Sequence, residues 1–215
     1  MGLITALKSQ KRRRHRLSIF IDGEYRLSVS ENTAVGLHVG KELSEEDIHQ
    51  LEEEDEVEKG YQGALRSISR RPHAEQEIRR KMQRRGLSRS VQESVLNRLR
   101  SAALLDDAEF ARIWVENRTA FRPRGARALA IELRQKGISR AEIDSALEGF
   151  DEAEAAYRAG QKAAHRWKNV SEEEFRKKVG GYLSRRGFSY SMITSVISRL
   201  MAEITLLEEE REGEA

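Results

Sequence analysis

The residue types that usually carry chemistry are present in this chain, but they do not converge. Its five histidines, His15, His38, His49, His73 and His165, are scattered. No two of them have the spacing that turns a pair of imidazoles toward one zinc ion. There is no cysteine, which excludes disulfides and thiolate metal sites. None of the serines stands in a nucleophile-elbow sequence. Gly40-Lys41 hints at a phosphate loop, but Val35 stands where the first glycine belongs and Glu42 replaces the metal-binding Ser or Thr. The acidic pair Asp106-Asp107 is explained more simply as the start of a helix than as acid–base machinery. No catalytic residues, no metal and no cofactor are expected, and the chain reads as a non-enzyme.

Basic side chains are the better candidates for function. Arg79, Arg80, Arg84 and Arg85 form one cluster, and Arg185 and Arg186 repeat its end a hundred residues later. Arg122, Arg124, Arg127, Arg134 and Lys136 lie between them. Residues three or four apart on a helix share a face, as Arg80 and Arg84 would, and such a stripe suits a phosphate backbone or an acidic protein groove. The plain alternative is a solvated face paired to nearby glutamates. The net charge of +3 understates the polarity, because 42–58 carries −10 and 208–215 carries −4, leaving +17 on the remainder. Two tryptophans occur in basic or apolar settings. Trp114, with Phe110 and Ile113 nearby, reads as core, whereas Trp167 lies between Arg166 and Lys168 and is less decided.

Three segments repeat around a glycine. Gly86, Gly137 and Gly187 align at spacings of 51 and 50 residues. Eight residues before each stand Ile78, Leu129 and Val179, and four before stand Met82, Leu133 and Leu183. Leu87-Ser88, Ile138-Ser139 and Phe188-Ser189 follow directly. Leu96, Leu147 and Ile197 come ten after the glycine, and Leu99, Phe150 and Leu200 thirteen after. The apolar i, i+4 pair marks one helix face. Glycine then supplies the left-handed residue that ends the helix, after basic residues that complement its dipole. Serine caps the next helix, and Ser139 with Glu142 forms a capping box. A further helix precedes each hairpin, at 58–70, 106–119 and 151–167, the second opening with Asp106 and Glu109 as another capping-box pattern.

At the N-terminus, Arg16–Ile21 and Glu24–Ser30 flank Asp22-Gly23, a strong hairpin signal because both central positions take positive φ. Ser30 and Ser44 are expected to cap two short helices, and the charge run Glu52–Glu58 to be a solvated helix or linker. The fold expected is mainly α: three tandem three-helix repeats in an elongated curved array, with a small N-terminal β-hairpin/helix extension. Its divisions are 1–57 for the extension, 58–105, 106–150 and 151–207 for the repeats, and 208–215 for an acidic tail. With 35% charged residues, several thin cores suit this chain better than one thick one. No signal peptide or membrane span is read, so a cytoplasmic location is expected, and a monomer.

The run Leu104-Leu105-Asp106-Asp107-Ala108-Glu109-Phe110-Ala111 is followed by Trp114, Arg118, Gly125, Leu129, Glu132-Leu133 and Lys136-Gly137-Ile138. Together these closely resemble the signature of the RecX family. Arg71-Pro72-His73-Ala74-Glu75-Gln76-Glu77-Ile78 resembles the opening of that family's first repeat. The Asp-Gly hairpin and the stretch Gly40–Ile48 look like its N-terminal extension. The resemblance spans nearly the whole chain and is densest from Ile68 to Phe150, while the third repeat matches mainly by pattern. One departure is Ala103, where the family often has glycine. The resemblance implies a regulator that lies on the RecA–single-stranded DNA filament and inhibits ATP hydrolysis, strand exchange and co-protease action. On that reading the basic hairpin faces contact filament protein and DNA, directly or through the filament, and the N-terminal hairpin domain adds a secondary contact. Two other readings stay open: a helix-turn-helix-like DNA-binding protein acting without RecA, and a purely protein-binding scaffold.

Overall fold

The computed structural model describes residues 1–10, 15–167 and 169–213. Lys11, Arg12, Arg13, Arg14 and Lys168, together with the last two residues of the expected acidic tail, lie outside the described residues. The chain divides into two compact units, Met1–Asp106 and Asp107–Ala215.

The first unit opens with four short strands, β1 (Gly2–Ser9), β2 (Arg16–Ile21), β3 (Glu24–Ser30) and β4 (Glu42–Leu43), joined antiparallel in the order β3-β2-β1-β4. The β2–β3 hairpin turns at Asp22 and Gly23, with φ of 53° and 90°, the left-handed pair that the twist of two strands selects. Ile4, Ile19, Leu27, Val29 and Leu43 form one side of a core, closed by Ile48 and Leu51 of the following helix. The β2–β3 hairpin is as expected, and β1 and β4 are two strands beyond it. Ser30 does not cap a helix: its Oγ accepts from the Thr33 amide (3.0 Å) and closes a turn, and the chain stays non-helical until Ser44.

Ser44 caps as expected, with a reciprocal capping box to Asp47, but the helix it starts does not stop. Helix α1 runs from Glu45 to Ile68, so the expected short helix, the charge run and the leading helix of the first repeat are one rod. The run Glu52–Glu58 is not a linker, because two of its acids are buried and satisfied. Asp55 accepts from the Ser30 amide (2.7 Å), Arg16 (2.9 Å) and Lys59 (2.6 Å). Glu58 accepts from Asn32 (3.0 Å) and Arg98 (2.6 Å). Burial opposes the charged form of Asp55, but these donors outweigh it and hold its pKa below the ordinary value. Helices α2 (Glu75–Gln83) and α3 (Arg89–Ser101) complete the unit, packing Ile78, Met82, Val91, Val95, Leu96 and Leu99 against Ala64 of α1.

The second unit holds two further three-helix sets: α4 (Asp107–Phe121), α5 (Ala126–Lys136) and α6 (Arg140–Ala146), then α7 (Glu152–Trp167), α8 (Glu172–Ser184) and α9 (Tyr190–Gly213). Gly86, Gly137 and Gly187 all have positive φ, and Ser88, Ser139 and Ser189 each accept from an amide three residues on. The repeat pivot is therefore built as read. Helix α6 is short, which leaves Leu147 and Phe150 half-buried just beyond it, whereas Ile197 and Leu200 lie buried within α9. Helix α9 runs on to Gly213, so the segment from Glu208 expected as a tail is helical that far. Fold class and repeat order are as expected: mainly helical, three three-helix sets behind a small sheet.

Candidate binding surface

The eleven basic positions singled out in the sequence divide into seven that are exposed and four that are half-buried. In the first unit Arg79 is internal. Its guanidinium spans Glu93 and Glu75 (3.1 Å to the latter), and Glu75 also accepts from Arg100 Nε (2.7 Å). The hydrogen bond from Arg100, set against partial burial, keeps the Glu75 pKa below its usual value. Arg80, Arg84 and Arg85 are exposed around the end of α2 and its turn. Their effect registers on Lys81: burial lowers its pKa first, then the Arg71 charge, with Arg84 and Arg85 adding to it.

In the second unit the signature residues meet at Glu132. This mostly buried carboxylate accepts from the Trp114 indole (2.8 Å), Arg118 Nε (2.8 Å) and Arg124 (2.9 Å). Two cations approach the indole, Arg118 4.4 Å and Lys136 4.3 Å from its ring centre, contacts of the cation–π kind. Arg124 and Lys136 thus help to build the unit. Arg122, Arg127 and Arg134 are exposed. Arg127 and Arg134 are two helical turns apart on α5 and share a side.

The third set supplies one outward and one inward arginine. Arg185 is exposed. Arg186 donates to the Pro123 carbonyl (3.1 Å) and lies 4.3 Å from the Tyr182 ring. Its own carbonyl accepts from the Gly125 amide (2.9 Å). At this joint two glycines touch backbone to backbone, since a Cβ on Gly125 would stand 2.4 Å from the Gly187 carbonyl oxygen. Gly125 of the signature is there for close approach, with ordinary φ of −70°.

Arg80, Arg84, Arg85, Arg122, Arg127, Arg134 and Arg185 are therefore exposed, while Arg79, Arg124, Lys136 and Arg186 are half-buried against neighbouring side chains or backbone. Arg16, Lys59 and Arg98 carry no such signal in the sequence, because the acids they meet lie in a run with the pattern of a solvated one. Among the described residues no group of His, Cys, Asp and Glu could hold a metal ion, and no helix is long and apolar enough to cross a membrane.

A small sheet followed by three three-helix sets with exposed arginines near their turns defines a helical-repeat protein. Family models identify it more closely. The RecX N-terminal domain matches 2–44, and the first, second and third RecX three-helix domains match 61–99, 106–147 and 151–197. The chain belongs to the RecX family. Regulatory protein RecX of Bacillus licheniformis is 33% identical over 202 residues, covering 92% of this chain and 77% of that protein. Its counterpart from Bacillus subtilis is 31% identical, covering 94% and 79%. A crystal structure of regulatory protein RecX superimposes with a TM-score of 0.72 at 30% identity, covering 91% of this chain and 98% of the other. The family is a regulatory one. The two models that meet across α1 leave 45–60 between them, the stretch carrying the buried Asp55 and Glu58.

Proposed function

We propose that this protein binds RecA filaments on single-stranded DNA and restrains them, lowering ATP hydrolysis, strand exchange and co-protease activity, as a cytoplasmic monomer and without chemistry of its own. Membership of the RecX family supports RecA as the partner. The observation that carries the site is the set of outward arginines at successive helix turns, Arg84 and Arg85, then Arg127 and Arg134, then Arg185. Such cations suit a polyanionic filament by Coulomb attraction and counterion release. The internal arginines serve by keeping those turns rigid.

Replacing Arg122, Arg127 and Arg134 together by Ala is the informative variant, because it leaves untouched the two ion pairs and the indole hydrogen bond on Glu132. It should keep the wild-type melting temperature and lose cosedimentation with RecA–single-stranded DNA filaments. Full cosedimentation by a folded triple variant contradicts the site. Undiminished, salt-dependent binding to DNA with no effect on RecA would favour a helix-turn-helix-like protein acting alone.

A further inference from the structure

A second aromatic lies among cations at the end of the third helical set, and the arginine surface does not account for it. Helix α7 ends at Trp167, and α8 runs beside it carrying Glu174, Lys177, Lys178 and Gly181, with Arg185 at its C-cap. These six residues line a pocket of about 290 Å³. Three cations face one acid there, and the acid sits in a loose pair with Lys178 (3.6 Å). Lys177 and Arg185 are exposed. The indole is fixed: Tyr182 meets it edge-on at 6.1 Å, and Arg186 in turn lies against Tyr182. A side chain on Gly181 would begin 3.4 Å from the Arg185 guanidinium, so the small residue leaves Arg185 room beside the pocket.

An aromatic wall with cations at its rim is what a flipped or unstacked base with its phosphate requires. A purely packing role explains the buried side of Trp167 but not a cavity lined by Lys177, Lys178 and Arg185. We propose that this pocket takes one nucleotide of a single-stranded nucleic acid, its base against Trp167 and its phosphate between Lys177 and Arg185. Duplex DNA, whose bases are stacked and paired, does not fit such a pocket. The proposal rests on the reading that the protein meets single-stranded DNA, and adds that it does so directly and through this set.

The test uses the full chain without RecA, titrated with short oligothymidylate while tryptophan emission is followed. Binding should quench the emission saturably. Trp167→Phe, which keeps Trp114 as its one indole, should lose the quench. Lys177→Ala with Arg185→Ala, both on the surface, should weaken binding about tenfold and make its salt dependence shallower, as expected when one or two phosphate contacts are lost. An undiminished quench in Trp167→Phe overturns the proposal, as does wild-type affinity in the double variant or equal quenching by duplex of the same length. A wild-type protein that binds no oligothymidylate overturns it too. Inhibition of RecA ATP hydrolysis by the same preparation then shows that the filament reading stands without the pocket.

Discussion

Gly125→Ala isolates what the joint between the second and third helical sets contributes. The backbone at Gly125 is ordinary, with φ −70° and ψ 155°, so alanine adds no torsional strain and any cost is steric. Its Cβ would lie 2.4 Å from the Gly187 carbonyl oxygen, 2.7 Å from the Gly187 carbonyl carbon and 2.7 Å from Glu152 Oε1. The Glu152 side chain can swing away only by releasing the Ala126 amide it accepts at 3.0 Å. The Gly187 backbone cannot give easily, because the neighbouring Arg186 carbonyl holds the Gly125 amide at 2.9 Å. Relief requires the two segments to part by about 1 Å. That is overpacking against backbone, worth roughly 1–3 kcal/mol, plus about one hydrogen bond at ~1 kcal/mol. The expected loss is about 3 kcal/mol, or on the order of 10 °C in Tm for a unit of this size. Gly149→Ala is the control. Its Cβ meets nothing within 4 Å, and only its left-handed φ of +71° is strained, at about 1 kcal/mol. Urea and thermal unfolding of both variants, followed by circular dichroism, measure the difference. The reasoning is refuted if Gly125→Ala costs no more than Gly149→Ala.

Two further outcomes follow from the first unit. Ala103 occupies φ +53° where the family often has glycine, and Ala103→Gly should stabilise the protein by about 0.5–1 kcal/mol in urea unfolding, by removing left-handed strain. The Asp55 pKa is depressed, so its contribution is full above the unfolded carboxylate range and is lost as pH falls through the lower folded value. Asp55→Asn, which leaves Arg16 and Lys59 without their shared carboxylate, should cost about 2–4 kcal/mol at pH 7 and flatten the acid limb of a stability–pH profile; an unchanged acid limb contradicts that role.

Much of the fold was legible because its signals are local. Asp22-Gly23 specifies a hairpin within two residues, and each Gly–apolar–Ser pivot contains both a helix stop and the next cap. What escaped depends on distant partners. Strand β1 has no turn chemistry of its own and is recognised only by pairing with β2 and with Leu43. The run Glu52–Glu58 looks like a solvated linker until Arg16, 39 residues away, and Arg98, 40 residues away, reach into it. The candidate surface divides in the same way. Composition and spacing located the arginines, but which of them point outward depended on acceptors elsewhere in the chain. Glu93 takes Arg79, Glu132 takes Arg124, and the carbonyl of Pro123, 63 residues away, takes Arg186.

The central claim is tested most directly by ATP hydrolysis of cognate RecA on single-stranded DNA, titrated with this protein and with the variant lacking Arg122, Arg127 and Arg134. The account predicts inhibition by the wild type at fewer than one molecule per RecA, and its loss in a variant that melts like the wild type. Undiminished hydrolysis with the wild-type protein on preformed filaments, or equal inhibition by the folded variant, would contradict it.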